Sequence, residues 1–238
     1  MSVISSPAPF TARGVWRGVR RAQPLALGVF AYGVAFGLLA LEASLAVAEA
    51  LVMSGLVYSG SAQLAAVSAL RAQGFGIGPG TLAATILLLN ARYLLYGAAL
   101  RPWLGAVGPG RAYATLFVLG DGNWLLAMQA HAEGERDGGF VLGSGLAMFA
   151  AWLAGTATGA VSGALLPDPA SLGLDMLLVA FAAAMALGMT RTRGDIVTIA
   201  VAAAVALTAA GTVGSGWAVV TAGLAAAALA ALRIRPGA

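Results

Sequence analysis

Residues 79–100 read PGTLAATILLLNARYLLYGAAL, a run whose single charge is Arg92. Twenty-two residues of helix rise about 33 Å at roughly 1.5 Å per residue, enough to cross a hydrocarbon core about 30 Å thick. Working outward, the same pattern recurs at 24–41, 45–70, 112–131, 140–166, 173–190, 195–211 and 214–232, cut by charges and Gly/Pro clusters. The reading is an all-α, polytopic transmembrane helical bundle of about eight spans. A cytoplasmic arm, 1–23, precedes one transmembrane domain, 24–232, and a cytoplasmic tail follows at 233–238. The arm carries Arg13, Arg17, Arg20 and Arg21, and its length marks an uncleaved first span rather than a signal peptide.

Arginine placement sets the orientation. With eight spans and both termini cytoplasmic, ten arginines fall inside, and only Arg101 and Arg111 fall in an outer 101–111 loop. Making 79–100 re-entrant gives seven spans and divides the arginines seven to five. The positive-inside rule favours eight. The separator Arg191-Thr192-Arg193-Gly194-Asp195 is too charged for lipid, so 173–190 and 195–211 count as two spans.

Composition agrees. Hydrophobic residues make up 60% of the chain and charged residues 9%, where a soluble domain has about 25% charged. All thirteen basic residues are arginine, a usage that fits a GC-rich bacterium and hence its inner membrane. No basic stripe interleaved with aromatics is present, so a nucleic-acid partner is not expected. The absence of cysteine excludes disulfides and thiolate chemistry. With one histidine and no phosphate-binding glycine motif, no metal or cofactor is implied.

Ionisable residues inside lipid are costly and mark function by default. The sharpest is Arg92, in Asn90-Ala91-Arg92. Its guanidinium suits a substrate carboxylate as a two-pronged donor, or a permanent ion pair with Asp121 of Asp121-Gly122-Asn123. Asp121 in turn suits a proton carrier or the partner of a substrate ammonium. Tyr58-Ser59-Gly60-Ser61-Ala62-Gln63 has the character of an unwound stretch that lines a polar site, with Ser59, Ser61 and Gln63 as candidates; the hydroxyls alternatively bond back to their own helix. Glu49 and Asp175, near the outer face, are further candidates for proton coupling. Gly33-x-x-x-Gly37 and Gly155-x-x-x-Gly159-x-x-x-Gly163 are stripes for close helix approach. Gly33 to Leu45 and Gly159 to Leu172 also share a glycine spacing that hints at a repeat. An intramembrane serine protease built on Met53-Ser54-Gly55 needs a histidine base, and His131 lies at a span end. The chain is not expected to be an enzyme.

These elements resemble the AzlC-type branched-chain amino-acid permeases, the large subunit of a two-component bacterial exporter. The similarity runs from Gly28 and Tyr32-Gly33-Val34-Ala35-Phe36-Gly37 through Met53-Ser54 and Tyr58–Gln63 to Asn90-Ala91-Arg92-Tyr93 and Asp121. It continues through Gly143-Ser144-Gly145-Leu146, Trp152 and Gly155 to Leu174-Asp175, covering roughly 24–190. Tyr93 stands where the family has His, and Asp121-Gly122 where it has Asp-Glu, so one carboxylate is left rather than two. The resemblance implies export of hydrophobic amino acids, coupling to the proton gradient, and a small AzlD-like membrane partner. An uptake permease for another small substrate remains the alternative.

Overall fold

The computed structural model describes residues 9–73, 79–105, 107–165, 183, 190, 192–212 and 215–233. Every secondary-structure element among them is helical: α1 (Ala12–Glu42), α2 (Val47–Val57), α3 (Gly60–Gln73), α4 (Pro79–Asn90), α5 (Arg92–Leu104), α6 (Pro109–Phe117), α7 (Asp121–Ala132), α8 (Gly138–Leu165), α9 (Arg193–Thr212) and α10 (Ser215–Arg233). Helices α1, α8 and α9 are each long and apolar enough to cross a membrane. Two compact units divide the chain at 178/179. In the second, α9 packs on α10, and the Arg233 guanidinium donates to the Gly194 carbonyl and, at 2.9 Å, to Thr198 Oγ1.

The first unit is organised around α1 and α8. Glycine decides their approach. A Cβ at Gly143 would strike the Val15 carbonyl, one at Gly155 the Phe30 carbonyl, and one at Gly159 the Val34 carbonyl. Gly33 and Gly37 answer from α1, against Trp152 and Thr156 of α8. Residue numbers rise together on both helices, so the two run parallel. The stripes read as packing surfaces in the sequence do pack, and they pack on one another.

Charge marks one end of this pair. Thr11 caps α1 by accepting from Gly14 N at 2.9 Å, while its own N–H and hydroxyl donate to Asp137. Arg17 meets Glu135 at 2.9 Å and Arg21 meets Glu133 at 2.7 Å. The loop before α8 is thereby tied to the start of α1.

The other helices differ from the expected plain crossings. Segment 45–70 is not one helix, because the chain leaves α2 at Tyr58, whose φ of 38° is in the left-handed region, and re-enters helix at Gly60. A positive φ is costly for a tyrosine and persists where packing over-determines it; here the ring abuts Phe149, centroids 4.8 Å apart. The helix then returns the way it came. Gly60 lies beside Tyr32, and Arg71 forms an ion pair with Glu42 at 2.8 Å, so α3 runs parallel to α1 and ends beside its end. Helices α2 and α3 form a hairpin entering from the Glu42 end.

Segment 112–131 behaves likewise from the opposite end. Helix α6 begins with Arg111 over the Phe10 ring, 5.4 Å to the centroid, and reaches Phe149 through Phe117, 6.0 Å between rings. The chain unwinds over 118–120, and α7 goes back to place His131 against Trp103 and Glu133 on Arg21. Between the hairpins, 79–100 is interrupted at Ala91, and α5 carries Trp103 down to the same arginine-rich end. The 101–111 connection therefore lies with the N-terminal arm, not opposite it as the eight-span reading required. Hydropathy cannot distinguish a hairpin of two half-helices from one crossing of equal length, so apolar runs alone count both hairpins as spans.

Candidate functional site

Two chain breaks and a kink converge: 58–59 in the first hairpin, 118–120 in the second, and Ala91 between α4 and α5, where the backbone stays right-handed helical at φ −55° and ψ −28°. Each falls on, or directly before, one of the polar motifs singled out in the sequence. A broken helix exposes carbonyls on one side and N–H groups on the other, which only a buried polar site satisfies away from water.

Arg92 is the hub. Its Nη2 donates to Ser61 Oγ at 2.7 Å and lies 3.1 Å from Asp121 Oδ2, while its Nε is buried with no hydrogen-bond partner. The other Asp121 oxygen accepts from the Tyr96 hydroxyl at 2.9 Å. Tyr96 is stacked on Trp124 of α7, centroids 4.4 Å apart, and the Arg92 guanidinium sits 5.4 Å over the Tyr93 ring. Ser59 donates to Asn90 Oδ1 at 2.6 Å and so joins the first hairpin's tip to the end of α4. The site thus brings together Arg92, Asp121, Asn90, Ser59 and Ser61.

Gln63 is fully buried one turn away. Its Nε2 donates to Ser54 Oγ at 3.2 Å, Ser54 pairs with Thr156 of α8 at 3.0 Å, and Gln63 Oε1 has no partner. Ser54 is thereby committed to a helix contact. Glu49 does not reach the cluster: its carboxylate accepts from Ala46 N at 2.8 Å and caps the start of α2. Asp175 lies outside the described residues. His131 is engaged by Trp103 and Arg136, whereas Ser54 is engaged by Thr156 and Gln63, so the two are not paired as base and nucleophile. A cavity of about 660 Å³ opens at the arginine-rich end, among Arg17, Arg20, Arg21, Glu133 and Glu135.

Two contributors escaped the sequence reading. Tyr96 sits one helical turn after Arg92, on the same face, and that spacing was available. Asn123, fully buried, accepts from Gly120 N at 2.6 Å and holds the second break in shape. Among the described residues, no group of three His, Asp or Glu side chains is placed to hold a metal ion.

A model of the AzlC protein family matches residues 24–166. The chain belongs to the AzlC family. That span contains α2–α8 and the apolar part of α1, hence every residue of the cluster just described. AzlC membership and the long apolar helices make this a membrane transport protein. No curated protein and no solved structure matches the sequence significantly.

Proposed function

We propose that this AzlC-family chain exports branched-chain or other hydrophobic amino acids across the bacterial inner membrane, coupled to the proton gradient, together with a small AzlD-like membrane subunit. The observation that carries the reading is Arg92. A guanidinium held at a helix kink between two helix breaks, paired with one carboxylate and keeping a buried Nε–H unspent, is equipped to exchange a protein carboxylate for a substrate carboxylate. The substrate's carboxylate takes Arg92, and Asp121 is released to accept a proton or to meet the substrate ammonium. Asn90 and the serines at 59 and 61 supply neutral hydrogen bonds around the same point. Of the three carboxylates named for coupling, Asp121 alone is in this cluster among the described residues.

Arginine placement supports a cytoplasmic arginine-rich end. Of the first unit's nine arginines, Arg13, Arg17, Arg20, Arg21, Arg101, Arg111 and Arg136 gather there, Arg71 is at the other end, and Arg92 lies between. Residues 12–165 then cross three times, as α1, α4–α5 and α8, with one re-entrant hairpin from each side. Adding 173–190, 195–211 and 214–232 as read from sequence gives six crossings and keeps both termini cytoplasmic.

The test is efflux of valine and leucine from preloaded cells that express the chain with and without the small subunit. The proposal expects efflux from the pair that collapses when the proton gradient is dissipated. Equal efflux from cells lacking the chain contradicts it.

A further inference from the structure

The two hairpins are related to one another. Four residues separate α1 from α2, and four separate α5 from α6. Each through-going helix is thus followed, after the same short connection, by a hairpin that enters from the end just reached. The tips carry matching residues sixty positions apart: Gly60-Ser61-Ala62-Gln63 and Gly120-Asp121-Gly122-Asn123. Equivalent positions do equivalent things. Ser61 and Asp121 both engage Arg92 Nη2, at 2.7 and 3.1 Å. Gln63 and Asn123 are both fully buried amides, each with one polar atom left unpartnered. One residue out of that register, Tyr58 and Phe117 on opposite hairpins press on the same ring, Phe149 of α8. This is a different repeat from the glycine spacing noticed in the sequence, whose two copies, at Gly33 and Gly159, pack side by side in parallel.

We infer that α1–α3 and α4–α7 are inverted copies, and that their hairpins are two opposed gates latched to one guanidinium, Arg92. Inverted repeats with broken helices place a ligand site where the copies meet, and the geometry here puts Arg92 at that place. The inference rests on the transport reading and adds how access to the site alternates. While Arg92 holds Ser61 and Asp121 together, both tips are shut. A ligand carboxylate that takes over Nη2 frees a tip, and the hairpin that carries it swings away from α8. The latches are chemically unequal, a hydroxyl on the hairpin from the Glu42 end and a carboxylate on the hairpin from the arginine-rich end.

Reversible disulfides between each hairpin and α8 test this in the cysteine-free chain, reconstituted with its small subunit. Ser54→Cys with Thr156→Cys replaces two hydroxyls 3.0 Å apart and pins the first hairpin. Gly122→Cys with Met148→Cys, joined through a short bis-thiosulfonate that reduction removes, pins the second, since a Cβ at Gly122 stands 3.1 Å from the end of the Met148 side chain, at Sδ. Gly55→Cys with Leu153→Cys, joined by the same short reagent, replaces the first pair if its reduced form does not transport, since a Cβ at Gly55 stands 4.0 Å from Leu153 Cδ2. Gates predict that cross-linking of either pair lowers valine movement at least tenfold and that reduction restores it. Valine movement that continues through complete cross-linking of either pair overturns the two opposed gates and leaves the transport reading standing. Failure of the unsubstituted pair of subunits to move valine counts against the transport reading itself.

Discussion

Arg71 closes on Glu42 at 2.8 Å, and this ion pair brings the end of α3 beside the end of α1. The chain between them turns back at Tyr58 instead of crossing. Cysteines placed singly at 42 and 71 are therefore expected to react with an impermeant thiol reagent from one side of the membrane, and cysteines at 101, 111 and 136 from the other. Reactivity of position 71 from the side of position 136 contradicts the hairpin.

Packing of α1 against α8 depends on glycines that face backbone rather than side chains. At Gly159 an added Cβ meets the Val34 carbonyl, which cannot move without moving α1. Overpacking of this kind costs about 1–3 kcal/mol. Gly159→Ala is expected to lower the melting temperature in detergent, and Gly159→Leu to abolish the folded protein. Gly97→Ala is the control, because a Cβ there has nothing within 4 Å; it leaves the melting temperature unchanged or raises it. Equal melting temperatures for Gly159→Ala and the parent contradict the packing.

Acid sensitivity is expected in the loop before α8. Burial pushes the Glu135 carboxyl up, but the Asp137 N–H, the Arg17 guanidinium and the Arg136 N–H together outweigh it and hold the group below the ordinary glutamate value. A carboxylate whose pKa is lowered by folding stabilises the fold above its unfolded value, and that contribution is lost as pH falls through the folded value. Thermal stability in detergent should thus decline on acidification through the carboxylate range. Glu135→Gln should be less stable than the parent at pH 7 and should lose less on acidification. A parallel decline in both proteins contradicts the role given to Glu135.

Much of this was legible in the sequence, and the part that was not has a physical reason. Long apolar runs identify the helices, and the cost of burying charge singles out Arg92 and Asp121. Gly155, Gly159 and Gly163 announce a close helix contact without naming the partner. Direction is what apolar runs do not encode. Residues 47–57 and 60–73 hold as much apolar chain as one crossing, so the reversal at Tyr58 left only Ser59-Gly60-Ser61 as a trace. Counting arginines on each side depends on the same direction. Arg101 and Arg111 fall opposite the N-terminal arm only if each intervening segment crosses.

Arg92 and Asp121 distinguish a working site from a strut. Arg92→Lys keeps the charge but not the planar fork, so transport is expected to fall at least tenfold while the protein still inserts. Each single neutralisation, Arg92→Gln or Asp121→Asn, leaves one charge without its partner and is expected to lower the amount of inserted protein.

The most direct measurement is valine transport by the double variant Arg92→Gln/Asp121→Asn, made with the small subunit and matched to the parent for membrane content. A site at this pair predicts normal insertion, because no lone charge is left, together with loss of transport. Normal insertion with parental transport would make the pair a structural tie between helices, and the site assignment would be wrong.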